Sequence, residues 1–190
     1  MATAQKLSTL VNGVAVDSLC ATIEAVKTTP SIAKFKFRVL NRWDIGSRNH
    51  STVASFSGAN QELTHPKPFR LEADEPAVLL GSDLAANPVE HLLHALASCL
   101  TTSMVYHAAA RGIRIDEIES SFEGDIDLHG FLNLDPGIRK GYQGIRVQFK
   151  IRADVADDQL QEIVQLGSGF SPVFDSLTNG VPVSIAAERL

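Results

Sequence analysis

The sequence predicts an α+β fold organised around one long helix, with strands on either side of it, and three observations carry that prediction. Ahead of the helix, "KFKFRVLNRW" alternates Phe35, Phe37 and Val39 with Lys34, Lys36 and Arg38, the period of a strand with one wet face. Residues 87–112, "NPVEHLLHALASCLTTSMVYHAAARG", hold twenty consecutive uncharged residues between Glu90 and Arg111. Beyond them, "IDEIESSFEGDIDL" and "GIRVQFKIRAD" alternate again, and a further helical stretch follows. Strands, helix, strands, helix, strand is an α+β order.

The chain of 190 residues is long enough to bury a core without disulfide staples. Its 44% apolar and 21% charged residues place it among globular proteins. A net charge of −5 without a lysine or arginine cluster argues against a nucleic-acid partner, because phosphate binding needs concentrated positive charge. Two cysteines, Cys20 and Cys99, are too few for a disulfide scaffold or a structural zinc site. With no export signal in "MATAQKLSTLVNGVAVDSL", a cytoplasmic protein is expected. No membrane partner is expected either, since His91, His94, Ser98, Thr101, Thr102, Ser103, Tyr106 and His107 scatter polar atoms round the uncharged helix.

In chain order, "VDSLCATIEAVKTTP" predicts a short helix capped by Asp17 or Ser18, carrying Cys20 and stopped by Pro30. It belongs to an N-terminal helical extension, residues 1–33, ahead of a domain spanning 34–190. "KFKFRVLNRW" and "STVASF" predict two strands joined by "NRWDIGSRNH", with Arg48 at the end of that connection. Pro66, Pro68 and Pro76 reduce "ELTHPKPFRLEADEPAVLLGSD" to short edge strands and loops. The long helix starts sharply, with Asn87 as cap, Pro88 at the first position and Glu90 at the third, and Gly112 closes it. The next two strands form a hairpin with an elaborated connection, "HGFLNLDPGIRKGYQ". "DDQLQEIVQLGSGF" and "SPVFDSLTNG" predict two helices, the second capped by Ser171 and stopped at Asn179-Gly180, and "VPVSIAAERL" a terminal strand.

Cys99 is the residue most able to carry chemistry. A thiol in an apolar helix is compatible with inert packing. Four neighbouring hydroxyls, Ser98, Thr101, Thr102 and Ser103, are more polar company than packing requires. A reactive thiolate needs a cation or donor, and none lies within a turn, so it must arrive from elsewhere in the fold or from another chain, with Arg48 a candidate. Glu90 sits nine residues earlier, about 13 Å along the axis and half a turn away, and completes a capping box. Two helices packed antiparallel across a two-fold axis would bring Glu90 of one towards Cys99 of the other. His91 and His94 share a face without a metal-ligand spacing, so neither a metal nor a cofactor is expected there, and His107 reads as structural.

"NPVEHLLHALASCLTTSMVYHAAARGI", alternating strands and "SPVFDSLTNGVPV" together resemble the osmotically inducible protein C and organic hydroperoxide resistance (OsmC/Ohr) superfamily. The resemblance implies an intertwined homodimer, its antiparallel sheets wrapped around crossing central helices. It also implies a peroxidatic cysteine that attacks hydrogen peroxide or an organic hydroperoxide and becomes a sulfenic acid. In peroxidatic members an arginine stabilises the thiolate, a glutamate holds the arginine, a second cysteine forms a disulfide and an external thiol reduces it. Cys99 matches the attacking cysteine, and Arg48 in "GSRNHSTV" the arginine, with Arg42 as fallback. The chain departs from the pattern twice. Ser171 stands where the second cysteine opens its motif, and Val89 follows Asn-Pro where the glutamate does, leaving Glu90 one place later and rotated by about 100°. That combination marks a divergent OsmC-like branch, implying a one-cysteine peroxidase that relies on an external thiol, or else an OsmC-fold small-molecule binding protein.

Overall fold

A computed structural model describes residues 9–189. The first eight residues of the predicted extension, and Leu190 at the end of the predicted terminal strand, lie outside it. The fold is α+β, with antiparallel sheets and helices, as the residue patterning predicts. It divides into two compact units, one built from residues up to Leu10 with Ala15–Leu92, the other from Val11–Val14 with Leu93 onward.

Near the start of the chain, β1 (Leu10–Val11) and β2 (Val14–Ala15) bracket an Asn12-Gly13 turn, whose two positive φ values, 54° and 77°, are those of a tight hairpin. Helix α1 (Val16–Thr28) follows at once, so its cap position is Ala15 and neither Asp17 nor Ser18 caps it. Asp17 lies inside the first turn and accepts from the Thr9 N–H at 3.4 Å. The expected stop holds, because Pro30 opens a 3-10 turn, Pro30–Ala33.

The main sheet is centred on β5 (Arg48–Gly58). β3 (Lys36–Phe37) and β4 (Leu40–Ile45) run along one edge of it as a single interrupted strand, with Lys36 opposite Ser57 and Arg42 opposite His50. The connection to β5 is much tighter than the predicted ten residues, only Gly46-Ser47, with Gly46 at φ 58°. β6 (Gln61–Ala73) covers the other edge of β5. This thirteen-residue strand corrects the expectation of short pieces and loops. Pro66 and Pro68 are accommodated because the register breaks there: Val53 pairs with Phe69 and Ser55 with Thr64, so residues 65–68 bulge out of the ladder on an open edge.

Helix α2 (Pro88–Ala110) begins and ends as predicted. Asn87 and Glu90 form the capping box, and Gly112 leaves the helix at φ 72° with its N–H on the Ala109 carbonyl. The uncharged helix is buried along one stripe and not all round: Leu96, Leu100, Ser103, Met104, Ala108 and Ala109 are covered. The stripe packs in the second unit against α4 (Asp157–Phe170), whose Ile163, Leu166 and Gly167 are buried. Close approach requires that glycine, since a Cβ on Gly167 would lie 2.8 Å from Met104 Cγ and 3.3 Å from the Leu100 carbonyl oxygen.

β7 (Glu117–Asp125) and β8 (Gly144–Arg152) form the predicted hairpin, Glu117 opposite Arg152 and Phe122 opposite Val147. Ion pairs such as Arg152–Glu117 line one face, and an edge-on contact of Phe122 with Phe149 marks the other. The connection between them includes α3 (Leu128–Phe131), capped by Asp127. α5 (Pro172–Asn179) has the predicted Ser171 cap. The predicted terminal strand is not formed. Residues 181–189 are exposed and irregular, because Val181, Val183 and Ile185 have the alternation of a strand but no ladder beside them.

Candidate functional site

Cys99 sits in the middle of α2, half-buried, on the margin of the covered stripe between Leu96 and Ser103. The hydroxyls around it are not equivalent. Ser103 is buried and donates to the Phe170 carbonyl at 3.3 Å, tying α2 to the end of α4. Ser98 lies 3.5 Å from His94 Nε2 across one turn. His107, two turns beyond Cys99, stacks on Phe170 with centroids 3.9 Å apart. Partial withdrawal from water, with Arg111 close by, holds its imidazole below the ordinary basicity.

Ser171, which the sequence resemblance sets against a second cysteine, is buried at 2% exposure and engaged in a helix cap. Its hydroxyl accepts the Phe174 N–H at 3.1 Å, closing the first turn of α5. The oxygen is doing what a cap residue does, and sulfur, a weaker acceptor, would do it less well.

Arg48 opens β5 and is half-buried; among the described residues it has no ion pair or hydrogen bond from its side chain. It lies on the same sheet face as His50, two residues on, and His50 is flanked by Arg42 and Glu72. Both candidate arginines therefore belong to one charged face. His50 Nδ1 meets Asp44 at 3.0 Å and holds that carboxyl below its usual range, with smaller contributions from Arg70 and Arg48. Glu72 is held low chiefly by Arg70, its partner at 2.8 Å.

What holds the turn just ahead of Arg48 is a residue that sequence reading passed over. Asp74, 1% exposed, accepts from the Ser47 hydroxyl at 2.6 Å and from the backbone N–H groups of Glu75, Ser82 and Leu84. The Ser47 hydroxyl and these N–H groups keep its carboxyl below the ordinary range. One carboxylate thus pins the turn carrying Arg48 to the segment leading into α2. In "LEADEPAV" Asp74 reads as one solvated acid among several, and only its place before Pro76, where the chain must turn, hints otherwise.

Glu90 closes the cap, with Oε2 accepting the Asn87 N–H at 2.8 Å. Nine residues place it half a turn from Cys99 on the common helix, so within one chain it points away from the sulfur. His91 bonds the Glu72 carbonyl through Nε2 at 2.8 Å. His91 and His94 thus have separate partners, and among the described residues no group of His, Cys, Asp or Glu side chains is gathered as metal ligands. Cys20 is exposed on α1. No described helix is long and apolar enough to cross a membrane.

A capped helix with a half-buried thiol at its centre, preceded and followed along the chain by antiparallel strands, is that of an α+β protein. The chain belongs to the OsmC-like protein family, which it matches over residues 81–186, more than half its length. The solved structure of an OsmC-like protein from Mycoplasma pneumoniae is similar at TM-score 0.57 and 16% identity, covering 75% of this chain and 86% of that one. An organic hydroperoxide resistance protein OsmC from Legionella pneumophila is similar at TM-score 0.53 and 14% identity, covering 76% and 91% respectively. At these identities the likeness is one of fold. No curated protein matches the chain in sequence.

Proposed function

We propose that this chain is a thiol-dependent peroxidase of one-cysteine type, acting on organic hydroperoxides or hydrogen peroxide through Cys99. The supporting observation is a half-buried, unpaired cysteine at the centre of the capped helix in a member of the OsmC-like family. The Cys99 thiolate attacks the terminal peroxide oxygen, the O–O bond breaks and sulfur becomes a sulfenic acid. The departing alkoxide, or hydroxide from hydrogen peroxide, takes a proton from solvent and leaves as alcohol or water. With Ser171 capping α5, no second sulfur stands in that motif. Two equivalents of an external thiol then return Cys99, releasing water and a disulfide.

Arg48 is the proposed cation for the thiolate, with Glu90 as its carboxylate partner through the oxygen the cap leaves free. The assembly is a homodimer in the cytoplasm, with residues 34–190 as the OsmC-like domain and residues 1–33 as its extension. The commitment of Ser171 and Glu90 to helix caps favours a second reading, a binding protein that keeps the fold without turnover.

Stopped-flow oxidation of the reduced protein by cumene hydroperoxide and hydrogen peroxide separates the two. The peroxidase reading expects a dimedone-trapped sulfenate on Cys99, lost in Cys99→Ser, retained in Cys20→Ser and slowed about 10²-fold in Arg48→Ala. An inert Cys99 under micromolar peroxide leaves the binding reading in possession.

A further inference from the structure

The chain holds two Asn-Gly pairs, Asn12-Gly13 and Asn179-Gly180, and the fold treats them in opposite ways. Such a pair can rearrange without an enzyme. The glycine nitrogen attacks the asparagine Cγ, and it approaches easily because glycine has no side chain to obstruct it. The reaction needs a carboxamide that can turn, a backbone N–H with no other engagement, and access to water.

At Asn12 the carboxamide is held at both ends. Its Oδ1 accepts the Ile115 N–H at 2.8 Å and its Nδ2 donates to the Ile113 carbonyl at 2.9 Å, both part-buried. Turning the side chain towards Gly13 would strand a donor and an acceptor together. Asn179 is placed differently. It is the exposed last residue of α5, and Gly180 leaves the helix at φ 70° and ψ 161°. Among the described residues the Gly180 N–H has no acceptor, whereas the Thr29 N–H beyond α1 reaches the Ala25 carbonyl at 2.8 Å. Residues 181–189 beyond it are exposed and irregular. One restraint remains. Asn179 Nδ2 donates to Asp175 Oδ1 at 2.7 Å, which draws the carboxamide back along the helix and away from Gly180. That bond is exposed, so water replaces it at little cost.

We propose that Asn179-Gly180 is a site of spontaneous deamidation, latched by Asp175, whose product loosens the end of α5. Once Asp175 lets go, the Gly180 nitrogen gives up its proton and bonds to Asn179 Cγ, and the side-chain nitrogen leaves with that proton as ammonia. Water then opens the five-membered imide at either carbonyl. One opening leaves aspartate, the other isoaspartate, with the main chain rerouted through Cβ. Nothing is oxidised or reduced, and water is the only co-reactant. Either product sets a second carboxylate near Asp175, at a helix end where the dipole disfavours negative charge and where α5 has no basic residue in its last turn. The Ser171 cap at the other end is untouched, so the loosening starts from Asn179.

Peptide mapping of the full chain, stored at neutral pH and body temperature, tests the site. Aspartate and isoaspartate should build up at residue 179 about tenfold or more faster than at residue 12, and in urea, where both pairs are released, the two rates should converge. Asp175→Ala should raise the rate at residue 179 about threefold or more. Asn179→Asp, which carries the charge of one product from the start, should speed amide exchange in the last turn of α5 and leave β7 and β8 unchanged. Equal rates at the two pairs in the folded chain, or an Asn179 that stays unmodified, overturn the site. An Asp175→Ala chain that reacts no faster removes the latch, and unchanged exchange in Asn179→Asp removes the loosening.

Discussion

Asn87 and Glu90 hold each other across the first turn of α2, each side chain accepting the other's backbone N–H at 2.8 Å. The pair separates a structural from a chemical use of the Glu90 carboxylate. Glu90→Ala should lower stability by about 1 kcal/mol through loss of the cap, while Glu90→Gln keeps most of it. If Glu90→Gln melts like the wild type yet oxidises at Cys99 more slowly, the charge serves the thiol. Equal oxidation rates would confine Glu90 to the cap.

Ser171 offers a gain-of-function test. Ser171→Cys, in a Cys20→Ser background, places sulfur at the position where the sequence resemblance expects a second cysteine. Peroxide treatment should then give a disulfide between Cys99 and the introduced thiol in non-reducing peptide maps. A cost of about 1 kcal/mol is expected as the cap of α5 weakens. Failure of the disulfide while the Cys99 sulfenate still forms would show that the two positions do not meet.

His107 predicts a pH dependence of stability. Its folded pKa is lowered by withdrawal from water and by Arg111, so the unfolded chain binds the extra proton first. Its contribution is fully present above the unfolded value of about 6.5 and is lost as pH falls through the folded one. His107→Phe keeps a ring against Phe170 and removes the titration. Urea midpoints at pH 7.5 and 5.0 should therefore fall further apart in the wild type than in the variant, and equal gaps would refute the assignment.

Asp74 predicts local loosening. Asn in its place has one acceptor oxygen for four donors, so Asp74→Asn should speed amide exchange at Ser82 and Leu84 and leave β7 and β8 unchanged. Protected amides in the variant would show that the segment holds itself.

Gly167→Ala tests the packing of α4 on α2. The added methyl meets Met104, itself fully buried, so a loss of about 1–3 kcal/mol is expected in urea unfolding. A neutral effect would mean that Met104 yields freely.

The elements legible in the sequence are those whose signals are local and mutually consistent. α2 is bounded by Asn87, Pro88, Glu90 and Gly112, α5 by Ser171, Pro172 and Gly180, and β7 and β8 by plain alternation. β6 was hidden by its prolines, because only the partner strand reveals that residues 65–68 stand clear of the ladder. The Asn12-Gly13 hairpin did carry a signal, apolar residues around an Asn-Gly pair, overlooked beside the helix that follows. For the candidate site, Cys99 stood out as a thiol among hydroxyls. The Ser47–Asp74 bond joins residues 27 apart through the sheet, so no local pattern announces it.

The outward bulge of His65-Pro66-Lys67-Pro68 has a consequence for solubility. Among the described residues no strand pairs the outer edge of β6, and an edge thirteen residues long is a template to which stray chains can add a strand. The bulge cuts that template into two short runs, Gln61–Thr64 and Phe69–Ala73, each with too few ladder positions to hold a stranger for long. A register break of this kind blunts a sheet edge as a template for added strands.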